Sequence, residues 1–123
     1  MPARPDIKVE ISFIHSVQKT RVEEFLKVDE MARGFVLEST RYHSFGVGLP
    51  FMESDGSFRR EGDTFVMDNM NRYFSELNLR TGVGTELTVS VDGHSYKLYE
   101  MFPAGAKIDI IILPRYRLLR GWK

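Results

Sequence analysis

A chain of 123 residues has room for one domain and no second core. Its apolar share of 42%, with nine Phe, five Tyr and one Trp, is too high for a disordered chain. Seventeen basic residues balance seventeen acidic ones, which argues against a protein that coats nucleic acid over its whole surface, and the lack of cysteine excludes a disulfide framework, a thiolate zinc site and a cysteine nucleophile.

One unit is therefore expected over residues 1–123, with a short N-terminal arm (1–6) and a basic C-terminal tail (115–123). No apolar stretch of signal-peptide type follows Met1-Pro2-Ala3-Arg4-Pro5-Asp6, and the run from Ile110 to Leu113 is far short of a membrane span. Small secreted domains often need disulfides, so the expected compartment is the cytoplasm, with no membrane contact.

Along the chain, Ile7, Val9, Ile11 and Phe13 alternate with Lys8, Glu10 and Ser12, the pattern of a half-buried strand. Thr20-Arg21-Val22-Glu23 reads as a capping box. Val22, Phe25 and Leu26 follow at helical spacing, and Gly34 is placed to end the run, which predicts a helix near 21–33. Phe35-Val36-Leu37 and the stretch from Tyr42 to Val47 look extended. Asp55-Gly56 is a turn signal between two plausible strands, and the polar stretch from Gly48 to Gly62 reads equally as a long loop.

Asp68 can cap a second helix, because Met70, Tyr73, Phe74 and Leu77 recur at intervals of three and four. Asp92-Gly93 between alternating runs predicts a hairpin over 87–100, with Val91 opposite His94, Val89 opposite Tyr96 and Leu87 opposite Leu98 on one face and Thr88 opposite Lys97 on the other. A last strand from Lys107 to Leu113 is nearly continuous in isoleucine, which predicts a strand covered on both faces.

The expected fold is α+β: two helices against a mainly antiparallel sheet, laid out as a ferredoxin-like βαββαβ plan with an extra C-terminal hairpin and strand. A β-grasp-like fold or a partly closed barrel is the alternative.

The segment Arg115-Tyr116-Arg117-Leu118-Leu119-Arg120-Gly121-Trp122-Lys123 is the most suggestive for function. Arg115, Tyr116, Arg117, Arg120, Trp122 and Lys123 combine the cations and rings favoured at protein-binding hot spots, and the same mixture suits phosphates and stacked bases. Its bland reading is that the apolar side chains fold back and the cations are solvated.

Other constellations are weaker. His15, His43 and His94 do not fall at metal-ligand spacing on one element, and no G-x-S-x-G is present. Gly82-Val83-Gly84-Thr85 follows an expected helix, the reverse of a phosphate loop, and reads as a connection. The acidic pieces Glu53-Ser54-Asp55-Gly56 and Glu61-Gly62-Asp63 lack calcium-loop spacing. An RNA-recognition-module reading of Arg60 to Val66 fails, since no aromatic stands two residues ahead of Phe65, and Glu61 and Asp63 would repel phosphate.

The leading expectation is a non-enzymatic protein-binding or structural subunit of a larger assembly, docking through its termini, with a protein partner or a second copy of itself and no cofactor or metal. Alternatives are a nucleic-acid-binding protein using the basic aromatic tail, and a small metal-independent hydrolase or nuclease using a histidine.

Overall fold

The computed structural model describes residues 6–15, 20–43, 57–62 and 64–112, with the backbone alone for His43 and Phe58. Among them the elements are β1 (Lys8–Ile14), β2 (Arg21–Val28), β3 (Phe35–His43), β4 (Ser57–Glu61), β5 (Thr64–Asp68), β6 (Arg72–Phe74), β7 (Leu77–Arg80), β8 (Thr88–Val91), β9 (His94–Lys97), the short helix α1 (Leu98–Met101) and β10 (Lys107–Ile110). Eight strands form one sheet in the order β4-β5-β3-β2-β1-β8-β9, with β6 also paired to β3, and β7 and β10 form a second, two-stranded sheet. Every pairing is antiparallel.

The ladder registers set side chains in rows across the inner face of the large sheet. One row runs Val91, Val9, Leu26, Leu37. The next runs Val89, Ile11, Glu24, Thr40, Met67, and a third runs Phe13, Val22, Tyr42, Phe65, Arg60. The first two rows are the floor of the core. Leu77, Leu87 and Leu98 are buried in the same cluster, with Leu79, Ile108 and Ile110 of the small sheet packed against it. Leu37, Met67 and Val9 are among the most completely enclosed side chains, each contributing roughly 2 kcal/mol by removal from water.

Strand β3 keeps its inward set in phase only by a bulge. Phe25 lies opposite Ser39 and Leu26 opposite Leu37, so Glu38 is the extra residue and turns outward with Ser39. On its other side β3 changes neighbour at the same place: Thr40–His43 pair with β5, and Phe35–Leu37 pair with β6.

This architecture corrects the α+β expectation. The chain is mostly antiparallel sheet with one short helix, so neither the two helices of a βαββαβ plan nor the helix of a β-grasp fold is present among the described residues. Among the described residues the sheet is also open, since β4 and β9 end it without pairing to each other.

The predicted helix over 21–33 is strand β2 and the turn after it. Its inward positions are Val22, Glu24, Leu26 and Val28. Glu24 interrupts the apolar alternation and leaves a residue spacing that mimics a helix. Two flanking strands then decide the conformation, and tertiary pairing overrides local propensity. Asp29 organises the turn: its Oδ1 accepts the Arg33 N–H (2.7 Å) and the Gly34 N–H (2.9 Å).

The predicted helix after Asp68 is two short strands, β6 and β7. The spacing of Met70, Phe74 and Leu77 comes from three separate inward visits of an irregular chain.

The hairpin at Asp92-Gly93 stands in the predicted register, with Val91 opposite His94, Val89 opposite Tyr96 and Thr88 opposite Lys97. Asp92 (φ 50°) and Gly93 (φ 83°) both adopt the left-handed conformation that a two-residue turn of this kind requires. Its second strand stops at Lys97, so the predicted pair Leu87–Leu98 does not form: Leu98 opens α1, and the Leu87 carbonyl accepts the Tyr99 N–H instead (3.2 Å). The isoleucine-rich last strand is not covered on both faces: β10 belongs to the small sheet, Ile108 and Ile110 alternate with exposed Lys107 and Asp109, and Ile111 is 51% exposed. The Asp55-Gly56 turn lies outside the described residues. The stretch read for RNA recognition, Arg60 to Val66, spans the β4–β5 hairpin and is not one strand.

Candidate functional site

The double irregularity at Glu38 opens a groove of about 560 Å³ on the outer face of the large sheet. Its walls are Lys27 on β2, Glu38 and Ser39 on β3, and Asp68, Asn69 and Asn71 on the chain between β5 and β6; Val36 and Met70 line it as well. Asn69 takes a left-handed φ of 54°, a conformation asparagine tolerates, and this redirects the chain from one strand to the next. The Met70 N–H donates to the Glu38 carbonyl (2.9 Å) and ties the redirected chain to the bulge.

The formal charges around this groove are matched within the protein. Glu38 faces Lys8 at 3.3 Å and Lys27 at 3.5 Å, and Lys27 also reaches Asp6 at 4.0 Å. Asp68 is paired with Arg59. The Asn69 amide donates to the Ser57 hydroxyl (3.1 Å). The side chains of Ser39 and Asn71 line the groove without a hydrogen-bond partner among the described residues. Beside Val36, at the end of the same row, stands Tyr73, 54% exposed.

A second polar cluster lies on the inner face. Tyr42 is 5% exposed and stacks on Phe65 (centroids 5.4 Å apart, planes at 17°), with the Arg60 guanidinium 5.4 Å from the Phe65 ring centre. The Tyr42 hydroxyl is buried with no hydrogen-bond partner among the described residues, and burial pushes its pKa above the ordinary tyrosine value. Diagonally across from it, Glu24 sits between Ile11 and Thr40. Burial there pushes the Glu24 carboxyl up, and the charge of Arg72 pulls it part of the way back. Thr40, itself 1% exposed, donates its hydroxyl to the Met70 sulfur at 3.8 Å.

The residues singled out from the sequence are dispersed. Arg115, Tyr116, Arg117, Arg120, Trp122 and Lys123 lie outside the described residues. His15 follows β1, and His43 ends β3 opposite Thr64, which puts both at one end of the sheet, two strand spacings or ~10 Å apart. His94 opens β9, exposed, ~20 Å away along the strands toward the other end. Among the described residues no three histidines, aspartates or glutamates stand close enough to hold a metal ion. Gly82-Val83-Gly84-Thr85 is a self-closed turn between β7 and β8, in which Thr85 Oγ1 donates to the Gly82 carbonyl (2.9 Å) and accepts the Gly82 N–H (3.2 Å). A strand precedes it, and the expected helix does not.

Sequence reasoning missed the groove. Its one local signal is Asp68-Asn69-Met70-Asn71, a cluster of turn-forming residues that was absorbed into a helix start.

These features define, among the described residues, an antiparallel domain with one short helix, whose groove at the β3 bulge is polar and charge-balanced. The chain belongs to the DUF1850 family, described as a domain of unknown function, whose model matches residues 9–98, from β1 to the start of α1. No curated protein and no solved structure matches the chain. Among the described residues no helix is long and apolar enough to cross a membrane.

Proposed function

We propose that this domain is a non-enzymatic protein-binding subunit of a larger cytoplasmic assembly, and that it receives an extended segment of its partner along β9. One observation carries this reading: the two ends of the large sheet are unlike. Strand β4 presents Arg59, Arg60 and Glu61 at its edge, the charged dressing that discourages strand addition. Strand β9 ends the other side with His94, Ser95, Tyr96 and Lys97 all exposed and a single firm charge, Lys97.

The hairpin geometry specifies what β9 offers. Val91 and His94 flank a two-residue turn and therefore exchange both backbone bonds, so the outward-pointing N–H and C=O groups of β9 belong to Ser95 and Lys97. An added strand would bond to these two residues. The tail residues Arg115, Tyr116, Arg117, Arg120, Trp122 and Lys123 are proposed as a second contact on the same partner, or on a second copy of this chain, by their hot-spot chemistry. The cysteine-free sequence supports the cytoplasmic placement.

Ser95→Pro removes one outward donor, and with it the 3.5 Å contact of the Ser95 hydroxyl with Ser90, and leaves the hairpin's backbone bonds in place. Native mass spectrometry of the protein recovered from its host should show the assembly mass lost in Ser95→Pro and reduced when residues 115–123 are deleted, with far-ultraviolet circular dichroism unchanged. An assembly mass that neither change alters would refute the reading.

A further inference from the structure

We infer that the groove at the β3 bulge is a binding site for a neutral polyhydroxylated ligand, a carbohydrate. This inference is independent of the β9 edge, since the groove lies around β3, with three strands between them.

The charge balance selects the ligand. Glu38, Lys27 and Asp68 are each engaged by opposite charges of the same molecule. A charged ligand would have to break one of these pairs before gaining a new one. A neutral ligand keeps them and meets groups already held in place, because each paired carboxylate retains lone pairs that can accept from hydroxyls.

The uncommitted groups are neutral as well. Ser39 offers a hydroxyl, Asn71 a whole amide, and Asn69 the carbonyl end of an amide whose nitrogen is fixed on Ser57. Hydroxyl and amide groups both donate and accept, which matches the hydroxyls of a sugar ring.

Tyr73 stands outside the groove's lining, just past Val36, where a ligand longer than the groove would reach it. Its ring lies across Gly34, where a methyl group would come within 2.5 Å of the Tyr73 hydroxyl oxygen and 2.6 Å of the ring. The ring is thereby held low over the strand, with 54% of the residue open to solvent beside Val36. An aromatic face flanking the groove past Val36 would meet the apolar C–H face of a sugar chain that extends beyond the groove, while hydroxyls of its neighbouring ring are bonded within it. The groove volume of about 560 Å³ is within the range of small-molecule sites.

The test is a titration of the ¹⁵N-labelled full chain, followed by amide chemical shifts, with maltohexaose, cellohexaose and chitohexaose, and with a sulfated heparin hexasaccharide as the charged comparator. At least one neutral glycan should shift the amides of Ser39, Asn69, Asn71 and Tyr73 at millimolar concentration, more strongly than heparin does. Asn71→Ala, an exposed position where folding is not at stake, should weaken that binding roughly fivefold, and Tyr73→Ala by about tenfold. No shift with any of the three neutral glycans up to about 20 mM, a stronger response to heparin, or affinity indifferent to both variants would each overturn the proposal.

Discussion

Gly34 and Tyr73 are in closer contact than any other side chain at position 34 would permit: a methyl there would stand 2.5 Å from the Tyr73 hydroxyl oxygen and 2.6 Å from the Phe74 carbonyl. The tyrosine could swing away, but the carbonyl belongs to β6 and is fixed by its ladder with β3. Gly34→Ala is therefore expected to destabilise the fold by about 2 kcal/mol through overpacking, read as a lower urea midpoint with an unchanged slope. The same variant should lift the Tyr73 ring and alter its fluorescence.

Two carboxyl groups on β2 and its turn give stability opposite dependences on pH. The Gly34 amide, the largest influence, and those of Arg33 and Met31 hold the Asp29 carboxyl below the usual range. Its contribution is present above the ordinary aspartate pKa and is lost as pH falls through the depressed value. Glu24 is raised by burial, so it favours the fold most below the ordinary glutamate pKa and loses that contribution as pH rises through the raised value. Asp29→Asn should therefore be less stable than the parent at about pH 7 and close to it near pH 3. Glu24→Gln should show its advantage over the parent at about pH 7 and lose it in acid. Urea midpoints across this range check both, and a Glu24→Gln advantage that grew on acidification would contradict the placement of that carboxyl.

The buried Tyr42 hydroxyl has no hydrogen-bond partner among the described residues, which leaves it as an unsatisfied polar group in the fold. Tyr42→Phe keeps the ring that stacks on Phe65 and removes the unsatisfied group. A gain of about 1 kcal/mol is expected by thermal or urea unfolding. A loss of similar size would mean that the hydroxyl is satisfied in solution.

What could be read from the sequence was local. The alternation of Ile7, Val9 and Ile11 marks β1, and Asp92-Gly93 fixes the β8–β9 register, because each signal is complete within a few residues. The helices failed where the deciding interactions come from elsewhere in the chain. Glu24 occupies an inward position opposite Ile11 on one neighbour and Thr40 on the other, and nothing near it in sequence announces that. Strand β3 read as two separate pieces because its inward residues change parity at Glu38, from Phe35 and Leu37 to Thr40 and Tyr42. That slip of phase is also what opens the groove, so the candidate site and the error in reading the strand have one cause.

Strand β1 has one neighbour close in sequence and one far away. Its hairpin partner β2 follows after a short connection, whereas Val9 meets Val91, 82 positions later. The middle of the sheet is thus joined by one of its most distant pairings, and the chain must close a long loop before Ile11 and Val89 can cover one another. Until residues 88–91 arrive, β1 is itself an open edge with a buried-type face, a surface prone to pairing with other chains. During synthesis that edge emerges well before its cover, so the interval between them exposes the chain to association with its neighbours.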